Sequence, residues 1–226
     1  MNILESILQQ IPDISQAQKK FMGILFSTIL LVYDKVNFTN LSRYSCLSEK
    51  TYRRHFFKSF DFPAFNKLFL NKALDRQRTL IAVIDCSFIP KSGTKTEGKA
   101  SFSNGVAGRP EEGLEISVIS VVEVETHLSY SLSVQQMPLR PTTELPKNPL
   151  TAQVKNNSKK LGKKQKLLSL TPEITRVDDY AQPLKKTRSL LPDSVRYLVA
   201  DGYYCRLKFW NAVRDADLNL ISKLRI

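Results

Sequence analysis

The stretch Thr79–Phe88 reads TLIAVIDCSF. Five consecutive apolar residues, Leu80 to Ile84, run directly into Asp85. A run this short and this apolar predicts a strand buried on both faces, in the middle of a sheet. A carboxylate is costly to bury there. Asp85 is therefore expected to leave the core at the strand's C-terminal edge.

A second run has the same form: VRYLVADGYY is apolar up to Asp201. Each aspartate alone has an ordinary explanation. Asp201-Gly202 is a turn dipeptide, and Asp85 could bond its own backbone in a loop. That both end apolar strands is the informative feature.

Residues 90–113 hold five of the eight glycines and predict a long loop. They contain neither GxGxxG nor GxxxxGK[ST], so a phosphate-cradling nucleotide loop is not supported. LEISVISVVEV (Leu114–Val124) predicts a strand, Glu125-Thr126 a turn, and HLSYSLSV a second strand opened by His127. In that second strand Leu128, Tyr130, Leu132 and Val134 alternate with Ser129, Ser131 and Ser133, the period of a strand with one covered face. Residues from about 138 to 172 contain five prolines and the run KNNSKKLGKKQK, with six lysines and no acid. They read as a solvated linker or as an arm that contacts phosphates. A helix is expected over Ile174–Leu191, closed by Pro192. RLKFWNAVRDA predicts another helix, with Phe209, Ala212, Val213 and Ala216 on one side, and Leu218–Arg225 a last strand.

Strand, hairpin, linker, helix, strand, helix, strand is the opening order of a ribonuclease H-like fold. In that topology the first strand lies beside the first strand after the helix. Asp85 would meet Asp201, 116 positions later. Adjacent carboxylates repel, and a divalent cation relieves the repulsion. Hard oxygen donors suit magnesium or manganese. A pair of such ions serves phosphodiester cleavage and transfer.

Residues 1–77 read as a separate helical unit. A short helix over Thr39–Ser45, a turn at Cys46-Leu47 and a helix capped by Ser48 resemble a helix-turn-helix. On that second helix Lys50, Arg53 and Arg54 share one face by their i, i+3, i+4 spacing. Tyr52, His55 and Phe56 lie on the other and are expected to pack. The basic face reads as a DNA contact or as an ordinary solvated face.

The formal net charge of +13 points to a polyanionic partner, nucleic acid before membrane. The apolar run FMGILFSTILLVY, Phe21 to Tyr33, is 13 residues long. That is short of the ~18 that span a bilayer, so a buried helix is expected. No signal peptide is read at the start. Cys46, Cys86 and Cys205 form no CxxC pair, which fits a reducing cytosol. Cys86 and Cys205 are expected to pack as small apolar groups. Two histidines, His55 and His127, and no HExxH leave triad and zinc-hydrolase chemistry unsupported.

Together, LIAVIDCSFIPKSG, GLEISVISVVEVETHLSYSLSVQQMP and VRYLVADGYYCRLKFWNAVRDADLNLISKLR resemble the DDE transposases of bacterial insertion sequences. The resemblance covers roughly residues 79–136 and 174–226. It implies a small all-α, helix-turn-helix-like DNA-binding domain over residues 1–77. Over 78–226 it implies an α/β, ribonuclease H-like mixed sheet, incomplete at the C-terminus. It further implies Mg2+ or Mn2+, transposon-end and target double-stranded DNA, self-association in a synaptic complex, and a bacterial cytoplasm close to the nucleoid. Asp85 and Asp201 would be the first two catalytic and metal-binding acids. Lys50, Arg53, Arg54, Lys159, Lys160, Lys163 and Lys164 would contact DNA. The family's third acid, a glutamate, lies beyond the fifth strand, and Asp215, Asp217, Glu173, Asp178 and Asp179 are not placed to replace it. The expectation is an N-terminal portion of a transposase that binds DNA without turnover. The alternatives are a non-catalytic DNA-binding regulator or inhibitor of transposition, and a structure-specific nuclease on the same fold.

Overall fold

The computed structural model describes residues 3–75, 77–93, 95–104, 107–139 and 175–223. Five helices come first: α1 (Ile3–Gln10), α2 (Gln16–Leu31), α3 (Phe38–Arg43), α4 (Glu49–Phe56) and α5 (Phe62–Ala73). Four of the starts are capped by short polar side chains, Ser48 as expected. Ser15, Asn37, Ser48 and Asp61 each accept a hydrogen bond from the backbone N–H three residues on. Ile7, Leu8, Phe21, Met22, Leu25, Leu41, Tyr52 and Phe65 form the first core. The apolar run of α2 is only half covered. Phe21, Met22 and Leu25 are buried, whereas Leu30, Leu31 and Tyr33 lie 87%, 64% and 98% exposed. No helix among the described residues is long and apolar enough to cross a membrane.

A six-stranded mixed sheet follows: β1 (Leu80–Pro90), β2 (Ala100–Asn104), β3 (Arg109–Glu123), β4 (Leu128–Gln136), β5 (Tyr197–Ala200) and β6 (Asn219–Ser222). The strands β1 and β3 are antiparallel, and β3 pairs with both β2 and β4 in the same sense. The strands β1, β5 and β6 run parallel. Two helices, α6 (Arg176–Thr187) and α7 (Leu207–Asp215), complete the α/β unit. The second core joins Leu80, Ala82 and Ile84 to Ile119, Val121, Leu132 and Leu198. Tyr180, Ala181 and Leu184 of α6 and Phe209, Ala212 and Val213 of α7 cover it. Leu70 of α5 belongs to this core while Phe65 of the same helix belongs to the first. The helix α5 thus serves both.

Four local expectations change. First, β1 is buried on one face only: Leu80, Ala82 and Ile84 are buried, and Ile81 and Val83 are half-buried. Second, part of the glycine-rich stretch is strand. Gly113 sits where β3 meets both β1 and β2, and a Cβ there would lie 2.4 Å from the Ile89 carbonyl oxygen. That glycine serves close backbone approach and not a loop. Third, the register of β4 shifts between its pairings Ile119↔Ser133 and Ser120↔Ser131. The resulting bulge at Leu132 reverses the alternation, so Leu132 and Ser133 are buried and Val134 is 58% exposed. Fourth, His127 belongs to the turn, with a positive φ of 58°, and β4 starts at Leu128. The helix α6 gives way to a 3-10 turn at Arg188–Leu190.

Candidate metal centre and nucleic-acid interface

The parallel ladder between β1 and β5 has three pairs, Ala82↔Leu198, Val83↔Val199 and Ile84↔Ala200. The next residue on each strand is an aspartate. Asp85 is therefore not at the end of its own strand, because β1 continues along β3 to the pair Pro90↔Gly113. It lies where the parallel neighbour stops. Asp201 follows the last residue of β5 and opens a 3-10 turn, Gly202–Tyr204.

Strand alternation puts both acids on one side. Ala82, Ile84, Leu198 and Ala200 face the core. Asp85 and Asp201 continue the opposite, open face through Val83 and Val199. Both are exposed, and neighbouring strands lie about 5 Å apart. Asp201 Oδ1 accepts from the Tyr203 N–H at 2.9 Å, and its backbone carbonyl accepts from Ser222 Oγ at 2.7 Å. Two accessible carboxylates suit magnesium, which is usually held by one or two carboxylates plus substrate phosphates and water. Among the described residues no third His, Cys, Asp or Glu joins them to make a larger ligand cluster.

The other acids are engaged elsewhere. Asp178 Oδ2 accepts from the Thr175 backbone N–H at 2.6 Å and from Lys208 Nζ at 3.0 Å, and the first of these does most to hold its carboxyl down at about 2. Asp179 pairs with Arg176 at 3.5 Å. Asp217 pairs with Arg196, just before β5, at the far end of the parallel strands. Glu173 lies outside the described residues.

Beneath the site, on the core face, is a polar cluster that sequence reasoning missed. Glu115 of β3 accepts from Tyr180 Oη at 2.9 Å and also from the Arg176 guanidinium. Burial pushes Tyr180 up to about 12. Tyr204 Oη donates to Cys86 Sγ at 3.0 Å. Burial pushes both the Cys86 thiol and the Tyr204 hydroxyl above their ordinary values, so both stay protonated near neutral pH. Cys86 packs as expected against the core, and its bond to Tyr204 is additional. Partners 61 to 118 residues apart leave no local sequence pattern.

On α4, Lys50, Arg53 and Arg54 are all exposed. Arg53 is already occupied: its guanidinium bonds Glu49 at 2.6 Å and lies 5.0 Å from the Phe38 ring centroid. Tyr52 and His55 pack against Phe21, His55 in a stack with centroids 4.1 Å apart. Phe56 departs from the expected packing and is 54% exposed. Lys159, Lys160, Lys163 and Lys164 lie outside the described residues. The chain matches no protein-family model and no curated protein.

Proposed function

We propose that this chain is a DNA-binding protein of the DDE transposase kind, with a ribonuclease H-like sheet and a divalent-metal site at Asp85 and Asp201. One observation carries the reading. The parallel pairing of β1 with β5 brings together two acids 116 positions apart, on one open face. The order β3-β1-β5-β6, with β4 and β2 both paired to β3, supports a ribonuclease H-like reading of the sheet. The two carboxylates would hold Mg2+ or Mn2+ and orient a phosphodiester over the open face. A bound cation there supplies Lewis-acid stabilisation of charge that builds on the phosphoryl oxygens. Self-association on transposon ends and a cytoplasmic, nucleoid-associated setting belong to the same proposal.

A second reading is a non-catalytic regulator that binds the same DNA. It is favoured by the lack of a third acid beside Asp85 and Asp201 among the described residues. Both readings require DNA contact, which salt dependence tests. If Lys50 and Arg54 meet phosphates, each alanine variant lowers the log–log salt slope of duplex binding by about one. Arg53→Ala has a smaller effect, because Glu49 already holds that guanidinium. Unchanged slopes for both Lys50→Ala and Arg54→Ala would rule out the α4 face. Cleavage of end-sequence duplex that needs Mg2+ or Mn2+ would exclude the regulator and show that the third acid is dispensable or replaced.

A further inference from the structure

The ladder between β1 and β5 ends at Ile84↔Ala200, one residue before the two aspartates. That pairing brings the two aspartate backbones side by side but reaches no further along either strand. The next tie across this gap is made by side chains. Cys86, adjacent to Asp85, packs against the core, and its Sγ accepts a hydrogen bond from Tyr204 Oη at 3.0 Å.

Tyr204 is held rigidly. It is 3% exposed, and its ring packs against Phe209 and Tyr180 with centroids 4.9 and 5.3 Å away. It is also coupled to Asp201 by the tight turn they share. The Tyr204 N–H donates to the Asp201 carbonyl at 3.1 Å, and the Tyr203 N–H donates to the Asp201 carboxylate at 2.9 Å. Ser222 Oγ holds the same carbonyl from β6 at 2.7 Å. Through this turn the placement of Tyr204 against Cys86 bears on the placement of Asp201 beside Asp85.

We infer that the Tyr204–Cys86 hydrogen bond, added to the strand pairing, fixes the relative placement of the two carboxylates, making both residues positioning residues for the divalent cation. The inference rests on the metal-site reading above. Cation sites are sensitive to such supports, and loss of an outer-shell partner typically costs about 10–100-fold in affinity. A merely structural role would lower stability and leave the affinity of the folded protein unchanged.

The test is a Mn2+ titration of the full chain, followed by the electron paramagnetic resonance signal of free Mn2+. It is run at a temperature where circular dichroism shows each variant folded. Tyr204→Phe keeps the ring and removes the hydroxyl; Cys86→Ala removes the acceptor. Each is expected to weaken Mn2+ binding by about tenfold, at the lower end of that range. The double variant should be no weaker than either single one, because both remove the same bond. Cys86→Ser, which restores an acceptor, should recover most of the loss. Wild-type affinity in Cys86→Ala, or in folded Tyr204→Phe, would overturn the positioning role. The Asp85→Asn control separates the two levels. If wild type binds Mn2+ no better than Asp85→Asn, the metal-site reading fails and the inference falls with it.

Discussion

Asp85→Asn is expected to lower the affinity of the folded chain for Mn2+ by at least about 100-fold, with little change in fold. Loss of a mere supporting group costs about 10–100-fold, and loss of a ligand from a two-carboxylate site should not cost less. The asparagine keeps the size and one oxygen of the aspartate but not its charge. Asp85 is exposed on the open face, so no core contact is lost. Asp201→Asn should have a similar effect on the metal, but its side chain also caps the turn through Tyr203. Asparagine can keep that bond through its carbonyl oxygen. Isothermal titration with Mn2+ measures both affinities. Unchanged affinity in both variants would remove the site.

Phe209→Ala is expected to cost about 3–5 kcal/mol of folding stability, read from urea unfolding of the whole chain. Phe209 is 0% exposed and packs against Tyr204 at the centre of the second core. The protein interior collapses only partly around the space an aromatic ring leaves. A domain with about 5–15 kcal/mol in hand loses a large share of it. The neighbouring Trp210, 46% exposed on the outer side of α7, is a control, and its alanine variant should lose only a small fraction as much. Equal losses at the two positions would mean that α7 does not pack as described.

The parts of this arrangement legible in the sequence are those written in local pattern. Two apolar runs that each stop at an aspartate predicted strands, and β1 and β5 are those strands. Ser48 was readable as a cap because its hydroxyl acts within three residues. The α7 pattern of Phe209, Ala212 and Val213 follows helical spacing, and those residues are buried. What failed depends on neighbours distant in the chain. The bulge at Leu132 is set by register against β3, and it turns Val134 outward although the alternation of HLSYSLSV is unbroken. Gly113 looked like part of a loop because the Ile89 carbonyl that requires it is 24 positions away. Ile81 and Val83 are as apolar as their neighbours, and nothing local says that the face they share with Asp85 is left half-open. The pairing of Arg53 with Glu49, by contrast, is local and was visible in the i, i+4 spacing of the two residues.

The central claim is that Asp85 and Asp201 hold one divalent cation between them. Anomalous scattering from crystals of the chain soaked in MnCl2 tests it most directly. The account predicts a manganese peak bridging the two carboxylates on the open face, beyond Ile84 and Ala200. A peak elsewhere, or carboxylates turned apart with no manganese between them, would contradict it.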